Sequence, residues 1–364
     1  MSPKKTPLYE EHKKLNGNLV DFAGWYLPVE YEGLIPEHNT VRENVGLFDV
    51  SHMGEFMVDG KEALDFLNYT LSNDFSKLED GQVGYSMILN ENGGIIDDLL
   101  VYKRNDESFM LVPNAANTKK DFDHLSKFVD QYDVKFENRS DEFGQIAIQG
   151  PKSEELLQKF VDIDLSEMGY YHFKENVKYK NYDVLVSRTG YTGEDGFEVY
   201  GTPESTVELW NDLLEEGKEF NVKPCGLGCR DTLRFEASMP LYGNEMSDEI
   251  SPLEVGLKFA VKMDKSDFIG KEATQKLIDK GVERKLIGIQ MEKKRIARQG
   301  AEVEKDGKKI GEITTGYLSP TLGVCIANAL VDKDSVETGD EVDVIIRKKP
   351  SKAKVISKQY LKNR

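Results

Sequence analysis

Two adjacent acids beside a glycine turn are the first candidates for chemistry. Asn90-Glu-Asn-Gly93-Gly94-Ile-Ile-Asp97-Asp98-Leu99 carries both carboxylates out of a Gly-Gly turn and onto an apolar strand. Strand alternation sends one inward and the other toward solvent. An inward acid among apolar neighbours has its pKa raised by desolvation unless donors surround it, which suits a general acid, a base or a polariser. The plainer reading is two acids decorating a turn, and the local pattern does not separate them. Further on, Ser187-Arg-Thr-Gly190-Tyr191-Thr-Gly193-Glu-Asp-Gly196-Phe-Glu198 places three glycines within seven residues, a spacing that asks for backbone freedom or close approach to a ligand. Tyr191 can stack, and Glu198 can accept paired N–H donors. In Pro224-Cys-Gly-Leu-Gly-Cys-Arg230-Asp231-Thr-Leu-Arg-Phe-Glu236, Arg230 falls in the first turn of a helix. There it either clamps a carboxylate bidentately or pairs with Asp231 or Glu198.

Other chemistries fail on spacing. Phe48-Asp49-Val-Ser51-His52-Met-Gly54 sets serine beside histidine, but adjacent residues of an extended segment point to opposite faces, which makes a poor nucleophile and base. Asp21-Phe22-Ala-Gly24-Trp25 is the remaining glycine and aromatic cluster. Neither Lys-Ser nor Lys-Thr follows the Gly190 loop, so it is no phosphate loop, and Gly226-Leu-Gly228-Cys-Arg-Asp231 has Asp where a dinucleotide fingerprint has its third Gly. Cys225, Cys229 and Cys325 make an odd count at spacings that zinc and redox motifs do not favour. Reduced thiols and no metal are expected.

These segments need a scaffold, and 364 residues are enough for two or three domains. A net charge of −17 repels nucleic acid. No apolar run suits a membrane span, and the start Met1-Ser-Pro-Lys-Lys-Thr-Pro7 lacks the apolar core of a signal peptide, so a cytoplasmic protein is expected. Helical spacing runs over 117–132, with Phe122, Leu125, Phe128 and Val129, and over 204–220, with Val207, Trp210, Leu213 and Leu214. Short apolar runs at 99–102, 109–112, 146–148 and 184–186 read as strands. After a helix at 271–279 the pattern becomes all β, with strands at 285–291, 301–304, 310–314, 324–331 and 342–346 and a hairpin signal at Asp306-Gly307. The coarse reading is α+β, followed by a β-barrel-like domain that begins near 280–284.

Taken in order, Phe48-Asp-Val-Ser-His-Met53, Gly93-Gly-Ile-Ile-Asp-Asp98, Arg188-Thr-Gly-Tyr-Thr-Gly-Glu-Asp-Gly196, Gly226-Leu-Gly-Cys-Arg-Asp231 and Ser319-Pro-Thr-Leu-Gly323 resemble the T-protein family of the glycine cleavage system across essentially the whole chain. The resemblance implies a three-domain cloverleaf around a central folate site: 1–52 with 140–240, a ferredoxin-like 53–139 with 241–282, and a barrel over 283–364. It implies a tetrahydrofolate-dependent aminomethyltransferase that receives an aminomethyl group from the lipoylated H-protein, with tetrahydrofolate as co-substrate and no metal. It chooses Asp98 over its neighbour as the catalytic acid. Glu198 then grips the pterin ring, Arg230 is a folate ligand, and Asn114, Tyr191, Tyr85, Tyr102, Tyr171 and Arg298 are further contacts.

Related folate-binding demethylating modules of sarcosine or dimethylglycine are usually fused to flavin domains, and no dinucleotide fingerprint is present. The iron–sulfur-assembly relatives carry a Lys-Gly-Cys motif that this chain lacks. The chain is nonetheless strongly basic over 284–298 and 347–364, where Arg347, Lys348, Lys349, Lys352, Lys354, Lys358, Lys362 and Arg364 crowd the end. These are either lysines guarding a barrel edge or a surface that steers an acidic lipoyl carrier or a polyglutamyl folate tail.

Overall fold

A computed structural model describes residues 2–363, so Met1 and Arg364 lie outside the described residues. The chain forms two compact units. The first runs from the chain start to Thr70 and adds Asp74–Ser86 and Leu99–Leu233; the second comprises Leu71–Asn73, Met87–Asp98 and everything from Arg234 on.

In the first unit a six-stranded sheet runs in the order Phe173–Tyr179, Tyr182–Ser187, Gly196–Gly201, Gly144–Gln149, Gly46–Asp49, Lys223–Pro224. Alternation sorts its side chains. Phe197, Val199, Ile146 and Ile148 join Trp210 and Leu213 of the helix Pro203–Glu216 in one core. Glu198 and Tyr200 therefore point to the other face. That helix starts on a Thr202 cap with Pro203 at its first position, as its sequence invites. It changes to a 3₁₀ turn at Gly217–Phe220, where a side chain on Gly217 would meet Val222 at 2.6 Å.

A second sheet has the order Gln82–Leu89, Ile95–Asn105, Ser108–Pro113, Phe56–Asp59, Lys135–Asn138. Its Met57, Tyr102, Met110 and Val112 pack with Phe173, Leu185 and Tyr200 of the first sheet. The helix expected over 117–132 is shorter: it spans Thr118–Ser126, and Val129–Gln131 is a separate 3₁₀ turn. The Lys127 and Phe128 N–H groups bond carbonyls three residues back, and Phe128 turns to pack on Tyr69 at 5.8 Å.

In the second unit six strands close a barrel: Arg284–Met291, Cys325–Asp332, Lys308–Leu318, Glu302–Lys305, Glu341–Ile346 and Lys349–Ile356. The last strand was hidden in the basic run. Ala353 and Val355 point inward, whereas Lys352 and Lys354 point out, with Lys352 Nζ 3.0 Å from Asp343. Because the barrel is closed, these lysines guard no free edge. Arg347 and Lys348 (φ 51° and 63°) turn the hairpin without a glycine, while Asp306-Gly307 (φ 52° and 75°) turns as read. Ser319 and Thr321 of the Ser-Pro-Thr-Leu-Gly motif donate to the buried Glu236 carboxylate, so that motif latches the barrel to the end of the helix Leu227–Glu236. No helix among the described residues is long and apolar enough to cross a membrane.

Glu55 is an exception among the buried acids. It is 1% exposed, its Oε2 has no hydrogen-bond partner among the described residues, and burial pushes its pKa well above the usual carboxylate range. A folded-state pKa raised this way favours folding below the unfolded pKa, and that contribution is lost as pH rises through the folded value. Glu55→Gln is therefore expected to match the parent in thermal stability near pH 4 and to exceed it by on the order of 1 kcal/mol or more near pH 8. A stability difference that stays constant between those pH values would contradict this.

Candidate active site

Glu198 is flanked in its sheet by Ser187 on one side and Ala147 on the other. Its Oε1 accepts from the Gln145 amide at 3.2 Å and its Oε2 from the Thr189 hydroxyl. Burial raises its pKa, while Thr189, the charge of Arg230 and Gln145 pull the other way. Behind it, the wholly buried Tyr102 and Tyr200 join hydroxyls at 2.8 Å. Alternation explains Tyr200, two residues after Glu198 and on the same face. Tyr171, at φ 56° and 38% exposed, lies within the field of Glu198; a left-handed tyrosine is a strained arrangement of the kind that gathers at functional sites.

Arg230 is held by its helix. The buried Glu37 carboxylate accepts the N–H groups of Tyr31, Glu32 and Gly33 on one oxygen and that of Gly226 on the other at 2.7 Å, pinning the residue before the helix start. Gly226 must be glycine because a side chain there would meet the Val29 backbone at 2.4 Å. At the far end Arg42 bonds the carbonyls of Leu233 and Thr192 and the carboxylate of Glu194, fastening the helix to the Tyr191 loop. The Arg230 guanidinium then lies 5.2 Å from the Tyr191 ring centroid.

Only part of the glycine spacing in that loop reflects backbone freedom. Gly193 has φ 79°, but Gly190 and Gly196 are small because Gln149 occupies the space a side chain would need, at 2.1 and 2.4 Å. Arg188 is bound to Asp195 and Glu154 and to two carbonyls, and so acts structurally.

Ser51 and His52 lie in a turn that follows the strand Gly46–Asp49, not in the extended segment expected of them. The Ser51 hydroxyl exchanges hydrogen bonds with the Gln145 main chain, at 3.2 and 2.9 Å. Asp49 accepts from Thr6 at 2.6 Å and from the Ser51 N–H at 2.9 Å, and meets His12 at 2.8 Å. Burial alone would raise the Asp49 pKa, but these partners hold it below its usual value. Glu37, Cys225 and Cys229 bring three ligand atoms within 4.8 Å of one another. Both Glu37 oxygens already accept backbone N–H groups, and burial keeps the Cys229 thiol protonated, so this donor set suits a structural role.

The first unit thus brings together Glu198, Arg230, Tyr191, Tyr102 and Tyr171. Tyr85 is partly exposed on the strand Gln82–Leu89, and Asn114 precedes the 3₁₀ turn Ala115–Asn117. Asp98 and Arg298 belong to the second unit. Asp97 is fully buried and Asp98 partly exposed, the alternation expected of that strand. The Gly-Gly turn before them is tight: Gly93 has φ 79°, and a side chain on Gly94 would meet the Asp248 carbonyl oxygen at 1.8 Å. Arg298 is exposed beside a cleft of about 960 Å³. Gln145 and Thr189, the two donors to Glu198, stand out by no motif of their own. Pairing register around Glu198, rather than any motif, is what would have found Gln145.

Residues 8–265 match the GCVT N-terminal domain, and residues 284–362 match the glycine cleavage T-protein C-terminal barrel domain. The chain belongs to the glycine cleavage T-protein family. An aminomethyltransferase of Thermoanaerobacter pseudethanolicus is 54% identical over 359 residues, covering 99% of this chain and 98% of its own. One from Alkaliphilus metalliredigens is 50% identical over 360 residues, covering 99% and 98%. The crystal structure of glycine cleavage system aminomethyltransferase T from Bartonella henselae superposes with a TM-score of 0.93 at 33% identity, covering 100% and 99%. As a T-protein family member, the chain is an α+β protein with a C-terminal barrel, and its activity is aminomethyl transfer in glycine cleavage.

Proposed function

We propose that the acceptor is tetrahydrofolate and the donor an aminomethyl group on the lipoyl arm of the H-protein, in the cytoplasm. The observation that carries this reading is Glu198: a half-buried carboxylate at the middle of a sheet, steadied by Gln145 and Thr189 and lying in the field of Arg230. Such a group suits the adjacent N–H donors of a pterin edge. Arg230, Tyr191, Tyr171, Asn114 and Tyr85 would hold the rest of the co-substrate, and Tyr102 would support Glu198 from behind. Arg298 would contribute from the barrel. We read three domains, 1–52 with 140–240, 53–139 with 241–282, and 283–364.

In the reaction the methylene carbon leaves sulfur and nitrogen and bonds N5 and N10 of tetrahydrofolate. Of the two protons those nitrogens release, one completes ammonia and the other the dihydrolipoyl thiol. We assign the proton transfer to Asp98. Positioning supplies much of the remaining rate, and no metal takes part.

The H-protein partner accounts for the cleft beside Arg298. Lys294, Arg295, Arg298, Arg347 and Lys349 line it, with no acidic side chain among its lining residues, in a chain of net charge −17. Such a concentration of cations speeds encounter with an acidic carrier.

Asp98→Asn is expected to leave tetrahydrofolate affinity within a few-fold while turnover falls roughly hundred-fold or more. Near-normal ammonia release by that variant would remove Asp98 from the mechanism. Calorimetry should show weaker tetrahydrofolate binding by Glu198→Ala, and unchanged affinity would reassign that residue. Charge reversal at Lys348 and Lys349, like added salt, should slow association with the H-protein. Insensitivity to both would rule out steering.

A further inference from the structure

The Phe48–Gly54 segment has one member whose polar atoms the fold does not use. Asp49 is bound to Thr6, His12 and the Ser51 N–H, and Ser51 is bound to the Gln145 main chain. His52, between them and Gly54, is 2% exposed, and its Nδ1 has no hydrogen-bond partner among the described residues. Buried ring nitrogens are nearly always bonded, so an imidazole retained in this state calls for a specific explanation.

Its surroundings supply one. Val50 and Met53, on either side of His52, share one hydrophobic cluster with Cys229 and Leu233, which flank Arg230 on its helix. The turn and the helix are therefore pressed together where His52 and Arg230 stand. On the other side the Phe22 ring meets the imidazole edge-on, with centroids 5.7 Å apart. Phe22 is 37% exposed and belongs to a hairpin turned by Ala23 and Gly24, both at positive φ. This connects the Asp21–Trp25 cluster to the same place. Burial and then the charge of Arg230 push the His52 pKa down to about 3, so the ring stays neutral, with one N–H and one lone pair.

We propose that His52 is a ligand-binding residue whose imidazole N–H, beside the Arg230 guanidinium, donates to an acceptor oxygen of the co-substrate. A guanidinium and a neutral N–H donor side by side form a subsite for a carboxylate or an amide carbonyl. This rests on the tetrahydrofolate reading above. There the groups of that chemistry that lie outside the pterin ring belong to the p-aminobenzoylglutamate half, which carries an amide carbonyl and carboxylates. His52 thereby distinguishes the full co-substrate from a bare tetrahydropterin.

The test measures binding of tetrahydrofolate and of 6-methyltetrahydropterin, which lacks that half, to the full chain and to His52→Leu, His52→Asn and His52→Gln. The two amides place a polar atom near Nδ1 and Nε2 respectively. His52→Leu should weaken tetrahydrofolate binding about ten-fold and leave the tetrahydropterin unchanged, and one of the amide variants should return affinity to within about three-fold of the parent. Equal weakening of both ligands, no change in either, or failure of both amides to recover affinity would overturn the proposal. If the parent binds neither ligand, the tetrahydrofolate reading itself fails, and the two failures remain distinct.

Discussion

A carboxylate taken out of water must find donors, and much of this structure is arranged around that requirement. Glu37 collects four backbone N–H groups and so fixes the start of the helix that carries Arg230. Asp49 gathers Thr6, His12 and the Ser51 N–H and shapes the turn leading to His52. In the second unit Glu245 binds Arg234 and the hydroxyls of Thr314 and Thr315, and Glu236 takes the donors of the Ser319–Gly323 segment. Glu198 differs from these in degree. Its two donors are uncharged, and burial outweighs them along with the field of Arg230, so its pKa stays raised. Acids fully supplied with donors serve as joints. One that is incompletely supplied keeps acceptor capacity for a ligand.

The same requirement accounts for several of the sequence motifs. Gly226 exists so that its N–H can reach Glu37 without a side chain striking Val29, and Gly190 and Gly196 make room for Gln149, which ties the Thr189 and Thr192 loop to the sheet. Glycines that look as though they cradle a ligand can instead accommodate a neighbouring side chain. The chemistry they support is one step away, in the loop they allow to pack.

Period-two alternation made much of this legible. That one of Asp97 and Asp98 turns inward and the other outward follows from their places on a strand, though which is which does not. Alternation could also have paired Tyr200 with Glu198. Gln145 was beyond reach, because its contact with Glu198 depends on which strands are neighbours, and register between distant segments leaves no local mark. The final barrel strand leaves little mark in the sequence because five of the eight residues from Lys349 to Ile356 are Lys, Pro or Ser. Its inward contribution is little more than Ala353 and Val355. Over 117–132 the apolar spacing outlasts the helix, because it continues after hydrogen bonding has changed to a 3₁₀ pattern.

The most direct measurement supplies H-protein loaded with a ¹³C-labelled aminomethyl group together with tetrahydrofolate, and follows ammonia and labelled 5,10-methylenetetrahydrofolate in one reaction. The account predicts that both appear in equal amounts, at a rate that a free amine donor such as sarcosine does not support. Ammonia without the labelled folate product, or equal rates with the free amine, would contradict it.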